Sequence, residues 1–361
     1  MYNILVLPGD GIGEEIVSSA VNVLKILEEK KGEKIFNFEH DLIGGCAYDE
    51  YGTPLDDKTL NRAKEVDAVL LGAVGGPKWD NLPMEKRPEK GLLKIRKEMG
   101  LYANLRPVKI FSSLIEKSPL KKEIIEGTDI MIVRELIGGL YFGEPRGIIQ
   151  KDCEDYGFNT MSYKKSEIER IGKIAFEIAQ KRRKKVISVD KSNVLEVMRL
   201  WRNTMIELSS NYNDVELSHN YIDAMSMDLV RKPTEFDVIV CENTFGDILS
   251  DLASSCAGSI GLLPSASLGD INMKTGKRFA MYEPIHGSAP KRAGQNVANP
   301  IGTILSATMM LRYSFNMQQE ADMIEKAIER MLDKYRTYDI WKEGFIKIGT
   351  SEVCEKIKEF I

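Results

Sequence analysis

Asn3-Ile-Leu-Val-Leu-Pro8 runs straight into Gly9-Asp-Gly-Ile-Gly13 and then into a helical pattern, with Ile16, Val17, Ala20, Val21, Leu24 and Leu27 on one face. Strand, glycine turn and helix follow one another as in a dinucleotide-binding α/β unit, so the reading of this turn sets the fold. The Rossmann fingerprint needs a third glycine where Glu14 stands, and no acidic residue clearly ends a second strand at the expected interval. The glycines are therefore read as a tight strand-to-helix turn, where they relieve positive-φ strain. They are not read as a pyrophosphate cradle.

Apolar runs at Ile4–Leu7, Ala68–Leu71, Ile130–Val133, Val186–Val189 and Val238–Cys241 read as strands. Ile168, Ile171, Ala175, Ile178 and Ala179 mark another helical face. Strands alternating with helices mean an α/β architecture. A chain of 361 residues is long for one compact unit, which predicts two domains, and 43% hydrophobic residues can fill their cores. With no internal repeat and no Pro/Ser-rich linker, the domains are expected to share crossing strands.

A net charge of -4 supplies no basic field for nucleic acid or anionic lipid. The densest basic run, Lys181 to Lys185, follows a helical pattern and reads as a solvated helix end, so no nucleic-acid partner is expected. No apolar run approaches a membrane span, and no membrane partner is expected. The scattered cysteines Cys46, Cys153, Cys241, Cys256 and Cys354 form no C-x-x-C pair, which argues against a disulfide frame or a thiolate metal site. A reducing compartment, by default the cytoplasm, is the expectation.

The strongest chemical signal is Glu242-Asn-Thr-Phe-Gly-Asp247-Ile-Leu-Ser-Asp251, after the strand-like Phe236–Cys241. Asp247 and Asp251 are four residues apart and share one helical face, a spacing that suits two hard oxygen ligands of Mg²⁺ or Mn²⁺. Spacing alone serves an acidic helix start equally well.

The segment resembles the metal motif of the β-hydroxyacid oxidative decarboxylases, the family of isopropylmalate, isocitrate, homoisocitrate and tartrate dehydrogenases. The resemblance runs in order along nearly the whole chain. It passes through Gly72-Ala-Val-Gly-Gly-Pro-Lys-Trp79, Leu101-Tyr-Ala-Asn-Leu-Arg-Pro107 and Val133-Arg-Glu-Leu-Ile-Gly-Gly-Leu-Tyr-Phe-Gly-Glu-Pro-Arg146. It continues through Asp190-Lys-Ser-Asn-Val-Leu-Glu196, Tyr221-Ile-Asp-Ala224 and Glu283-Pro-Ile-His-Gly-Ser-Ala-Pro290 to Ala298-Asn-Pro300. It implies an isocitrate/isopropylmalate dehydrogenase-like two-domain α/β fold, not a Rossmann fold. The implied first domain is discontinuous, 1–101 plus 254–361, and binds the cofactor; the second, 102–253, carries substrate, metal and dimer contacts. A homodimer with shared active sites and a small 2-hydroxy dicarboxylic acid substrate are implied as well.

By the same resemblance Arg96, Arg106 and Arg134 clamp the substrate carboxylates, a task suited to permanently charged guanidinium forks. Asp223 matches the third metal carboxylate and Lys191 the lysine that relays the alcohol proton, both given across the dimer interface. Tyr141 matches the acid that protonates the enol carbon. Gly76, Glu89, Glu283, His286, Gly287, Ser288, Ala289, Pro290, Lys291, Arg292 and Asn299 fall on cofactor-binding positions.

Arg87-Pro-Glu-Lys-Gly-Leu-Leu-Lys-Ile-Arg96 resembles the isopropylmalate branch, where a leucine pair, here Leu92 and Leu93, receives an isopropyl group and Glu89 faces the nicotinamide. Isocitrate's extra carboxylate would be desolvated against two leucines. The alternatives are a relative acting on D-malate, tartrate or homoisocitrate, and a catalytically silent homologue. The second would need a broken site, whereas Tyr141, Lys191, Asp223, Asp247 and Asp251 are all present. NAD is the family's coenzyme for this branch. Lys291 and Arg292, however, replace the acidic and apolar residues typical there, and such cations suit the 2′-phosphate of NADP.

Overall fold

The computed structural model describes residues 1–273 and 276–361. In chain order its main strands are β1 (Tyr2–Gly9), β2 (Phe36–His40), β3 (Ala68–Ala73), β4 (Ala103–Lys109), β5 (Asp129–Glu135), β6 (Gly147–Lys151), β7 (Glu154–Phe158), β8 (Lys185–Asp190), β9 (Glu216–Tyr221), β10 (Val238–Cys241), β11 (Pro264–Ile271) and β12 (Arg278–Pro284). They fall into two compact units. Met1–Leu101, Phe111–Ser118 and Gly258–Ile361 make the first; Tyr102–Ile110 and Pro119–Ala257 make the second. The return point expected at 254 lies inside helix Asn243–Cys256, which runs unbroken through it, so the chain leaves the second unit at Ala257. Phe111–Ser118 joins the first unit because Arg336, only 1% exposed, needs partners there and finds Glu116 and the Ser113 carbonyl.

In the first unit the strand order is β2-β1-β3-β12-β11. β1 is parallel to β2 and β3, β12 is parallel to β3, and β11 runs antiparallel to β12. β3 is buried along its whole length, which is why it reads as an unbroken apolar run without alternation. Helix Gly13–Lys31 buries Ile16, Val17, Ala20, Val21, Leu24 and Leu27, the face read from the sequence. Each large side chain so buried contributes roughly 1.5–3 kcal/mol. The helix stops at Gly32, whose left-handed backbone lets its N–H cap the Glu28 carbonyl.

The Gly9–Gly13 turn shows why a pyrophosphate has no place on it. Gly9 and Gly11 have φ of 75° and 60°. A Cβ on Gly11 would lie 2.1 Å from the Ser288 carbonyl oxygen, and one on Gly13 would lie 2.0 Å from that of Pro8. Ile12 N–H donates to the Ser288 carbonyl at 2.8 Å, so protein backbone occupies the helix start. Asp10 at the centre of the turn accepts from the backbone N–H groups of Gly45, Cys46 and Gly75, at 2.9, 2.8 and 2.8 Å.

In the second unit the order is β4-β5-β10-β8-β9, with β4 antiparallel to β5 and the remaining pairs parallel. Helix Lys165–Gln180 buries Ile168, Ile171, Ala175 and Ala179, with Ile178 half-buried. The basic run that follows is matched by acids: Arg182 pairs with Asp129 and Asp237, Lys184 with Asp214 and Lys185 with Glu216. The β6–β7 hairpin stands almost wholly in solvent. Among the described residues no helix is long and apolar enough to cross a membrane.

Asp10→Asn would turn one acceptor oxygen into a donor facing backbone N–H groups. Hydrogen bonds to a charged group contribute about 1.5–3 kcal/mol each, so the variant's thermal midpoint should drop by several degrees. A midpoint unchanged by calorimetry would show that this carboxylate does not hold the turn.

Candidate active site

Loops leaving the carboxyl ends of parallel strands collect side chains at one edge of a sheet. In the second unit β5 ends on Arg134 and Glu135, β8 leads to Lys191, β9 to Asp223, and β10 to the helix that bears Asp247 and Asp251. Arg134 is 3% exposed and Arg106 8%. Arg134 Nη1 donates to Asp247 Oδ1, while its Nε and Nη2 both donate to Asn243 Oδ1, at 3.0 and 2.8 Å. Arg106 Nη1 lies 3.6 Å from Asp247 Oδ1 and 3.9 Å from Asp251 Oδ1. Its Nε donates to Asn104 Oδ1 at 2.7 Å. Tyr141 Oη donates to Asp247 Oδ2 at 3.0 Å.

These contacts set the protonation states. Burial works against the Asp247 charge, but Arg134, Arg106 and the Tyr141 hydroxyl outweigh it and hold the carboxyl below its usual range. Asp251, one turn on, is pushed up by burial and by the Asp247 charge, with Arg106 opposing. Burial and the neighbouring Asp247 also push the Tyr141 phenol up, so Tyr141 keeps its proton.

Lys191 and Asp223 come together with each other, Nζ to Oδ1 at 2.6 Å. Lys191 also lies over the Tyr221 ring at 5.6 Å, a ring shared with Arg202 at 5.0 Å. Arg202 in turn grips the buried Asp190 through two bonds, of 2.8 and 3.0 Å. Among the described residues no three His, Cys, Asp or Glu side chains are grouped to hold a metal. Asp247 and Asp251 therefore offer two hard, anionic donors on one helical face. That set fits a divalent cation whose other ligands come from elsewhere.

In the first unit the loops after β1, β3 and β12 interlock. Ser288 Oγ donates to the Gly75 carbonyl at 2.7 Å, and Asp10 holds the Gly75 N–H. A Cβ on Gly75 would lie 2.8 Å from Glu89 Oε1, and one on Gly76 would lie 4.0 Å from Pro290 Cγ. Gly287 faces open space. Beside it, His286 Nδ1 meets the Gly287 carbonyl at 3.0 Å, while Nε2 is buried without a partner. Burial holds the His286 imidazole in its neutral form. An orphaned buried nitrogen over an open glycine backbone fits a nucleotide that supplies the missing hydrogen bond. Ala289 has φ of 38°, unusual for a residue with a Cβ. Asn299 is already committed, donating to Asp339 Oδ2 and accepting from Ile301 N–H, each at 3.0 Å.

Arg96 donates to Glu283 Oε1 at 2.6 Å and leaves Nε buried without a partner. Leu92 and Leu93 are half-buried, and Leu92 packs on the apolar cluster that includes Leu71, Ile95 and Met99. Lys291 and Arg292 are exposed on the turn Pro290–Arg292. The Arg292 guanidinium lies over the Tyr338 ring at 5.5 Å, and Lys347 lies over the same ring at 4.6 Å.

Residues 3–357 match the family described as isocitrate/isopropylmalate dehydrogenase. The chain belongs to the isocitrate/isopropylmalate dehydrogenase family. It is 59% identical to the 3-isopropylmalate dehydrogenase of Aquifex aeolicus, over 99% of this chain and 96% of the relative. It is 56% identical to that of Carboxydothermus hydrogenoformans, over 100% of this chain and 95% of the relative. Among solved structures it is similar to isocitrate dehydrogenase from Methylococcus capsulatus, at 31% identity and a TM-score of 0.86, covering 99% of both chains. As a member of this family the protein is a decarboxylating dehydrogenase that requires a nicotinamide dinucleotide and a metal.

Sequence reasoning passed over several residues that hold these side chains and loops: Asp10 in the first unit, and Asn104, Glu135, Tyr163, Asn243 and Ser250 in the second. Asn243 stood inside the quoted carboxylate motif, but its type alone carries no signal. Glu135, fully buried, accepts from Gly138 N–H at 2.7 Å and faces Arg170 Nη2 at 3.4 Å. Burial pushes its carboxyl up to about 7, against the Gly138 N–H and Arg170. A folded pKa above the unfolded one favours the fold at low pH, and that contribution is lost as pH rises through about 7. Glu135→Gln should abolish this term. Wild type should then lose stability relative to the variant between about pH 5 and pH 8, by on the order of 3 kcal/mol. Parallel urea-unfolding profiles for the two proteins across that range would show that Glu135 stays ionised.

Proposed function

We propose that the protein oxidatively decarboxylates 3-isopropylmalate to 4-methyl-2-oxopentanoate with reduction of a nicotinamide dinucleotide, in leucine biosynthesis. The observation that carries this reading is the cluster of buried Arg106 and Arg134 on Asp247, with Tyr141 bonded to the same carboxylate. The 59% identity to a relative bearing that name supports the choice of substrate.

In this reading Arg96, Arg106 and Arg134 bind the substrate's carboxylates and fix its orientation. Leu92 and Leu93 receive the isopropyl group, whose burial gains roughly 2 kcal/mol at ~0.8 per carbon. Asp247 and Asp251, with Asp223 of a second copy, would hold a divalent cation, which would supply Lewis-acid chemistry toward the substrate hydroxyl. Lys191, also from the second copy, accepts the hydroxyl proton as the C2 hydride leaves for the nicotinamide. The bond from C3 to its carboxylate then breaks, CO₂ departs, and the electron pair moves onto the C2 oxygen, to which Lys191 returns the proton it took, giving the enol; that proton leaves again as C3 is protonated. Tyr141 returns one proton to C3. Its raised pKa suits an acid that must still hold its proton when the enol forms.

The shared site makes the protein a homodimer in this proposal. The Lys191–Asp223 pair supports it, since neither residue makes up a three-carboxylate metal group within its own chain. For the coenzyme we favour NADP, alone or beside NAD, because Lys291 and Arg292, with Lys347 at the same aromatic ring, present cations to a phosphate. The nucleotide cradle lies in the first unit, around Gly76, Glu89, Glu283 and His286 to Arg292.

Turnover should be fastest with 3-isopropylmalate when it is compared with isocitrate and malate, each with both coenzymes. Faster turnover of either competitor would overturn the substrate reading. Lys291→Asp should lower kcat/KM for NADP about tenfold or more while sparing NAD, as the loss of one charge-assisted bond of about 1.5–3 kcal/mol requires. An unmoved NADP-to-NAD ratio would remove Lys291 from coenzyme choice.

Two inactive variants test the shared site. Mixing Lys191→Ala with Asp247→Asn subunits should restore part of the activity, because one site of each hybrid dimer is intact. If native mass spectrometry shows exchanged subunits and activity stays absent, each chain must build its own site.

A further inference from the structure

We infer that Asn243 is a positioning residue, one amide that holds both the Arg134 guanidinium and the loop carrying Tyr141. The inference rests on the roles proposed above for those two residues.

Asn243 is fully buried, and its side chain uses every polar position it has. Oδ1 accepts from Arg134 Nε and Nη2 at 3.0 and 2.8 Å. Nδ2 donates to the carbonyls of Leu136 and Gly138, each at 3.0 Å. A guanidinium only donates and a carbonyl only accepts, so chemistry fixes which way the amide points. Aspartate would keep the acceptor and set a carboxylate against two carbonyls. Glutamine would be one methylene too long, and serine would reach only one side.

The backbone of Asn243 is pinned as well. Its N–H donates to Tyr163 Oη at 3.0 Å, and Tyr163 Oη donates to Glu242 Oε2 at 3.3 Å. Tyr163 forms the floor beneath Gly138 and Gly139. A Cβ on Gly138 would lie 2.5 Å from the Tyr163 ring, and one on Gly139 would lie 2.5 Å from its hydroxyl. Glu135 takes the Gly138 N–H from the other side. The turn Gly139–Tyr141 starts from this clamped pair of glycines, so the place of the Tyr141 hydroxyl follows from the place of Asn243. The residue thereby sets the carboxylate-binding fork and the proton donor in one register, both on Asp247.

Asn243→Asp separates the two functions, because it keeps the acceptor for Arg134 and loses both donors to the loop. Expected are a fall in kcat of about a hundredfold, within the range typical of a misplaced general acid, and a KM for 3-isopropylmalate changed by only a few-fold. Turnover in D₂O adds a readout that mere destabilisation would not move. Wild type should place deuterium at C3 of the product in one configuration, and Asn243→Asp should give a mixture, the same outcome expected of Tyr141→Phe. A variant that keeps stereospecific deuteration, or whose loss lies wholly in KM, overturns the inference. Should Asn243→Asp fail to fold, Tyr163→Phe decides by the same readouts: a lower kcat with partial loss of stereospecificity supports the clamp, and wild-type values refute it. Wild-type enzyme that does not turn over 3-isopropylmalate refutes the proposed function instead, whatever Asn243 does.

Discussion

Arg134 carries a permanent charge at a position only 3% exposed, and the second unit is arranged around making that tolerable. A buried guanidinium without partners would be strongly destabilising, so its donors must be met. Asp247 meets one, and the Asn243 carboxamide meets two others. Both partners lie on helix Asn243–Cys256, which fixes that helix against the end of β5. Close approach follows: a Cβ on Gly246 would lie 2.6 Å from Arg134 Cγ. The Asn243 amide then has two donors left, and these settle the path of the chain after β5. Tyr141 reaches Asp247 because that path is settled.

The first unit solves a different problem with a strand order of its own. Its parallel strands β1, β3 and β12 deliver backbone loops to one edge, and polar side chains tie those loops together. Asp10 gathers N–H groups from the segments that follow β2 and β3, and Ser288 bridges to Gly75. What remains open is the stretch around Gly287 and the unpartnered His286 Nε2. The helix start that a Rossmann protein would offer to a pyrophosphate is closed here by the Ser288 carbonyl. This leaves the His286 to Arg292 loop as the place where the proposed function seats its nucleotide.

Much of this was legible in the residues. Helical faces and apolar strands came from periodicity, whereas the four-residue spacing of Asp247 and Asp251 fitted an acidic helix start as well as a metal pair. Missing glycine at position 14 excluded the Rossmann reading, although the physical reason, Ser288 against Gly11, lies far along the chain and has no local signature. Asn243 was illegible for the same reason. Its amide is defined by Gly138, 105 residues away, and by Arg134, 109 residues away. Glu135 read as one more acid beside an arginine, and its raised pKa comes from burial that no spacing encodes. The unit boundary at Ala257 was displaced from 254 because a helix continues until its own packing ends.

Each cation assigned to substrate or catalysis is found in an ion pair with an acid assigned to metal or cofactor. Arg96 pairs with Glu283, Arg134 with Asp247 and Lys191 with Asp223, while Arg106 lies near both Asp247 and Asp251. A dicarboxylate arriving alone must compete with these acids for the guanidinium groups. A divalent cation arriving alone must compete with the guanidinium groups for Asp247. Under the proposed roles, the two ligands arriving together would bring opposite charges, the substrate carboxylates going to the arginines and the metal to the aspartates. In the second unit, the pairing of Arg134 with Asp247 thus compensates a buried guanidinium with a carboxylate that the proposed function would turn to a metal.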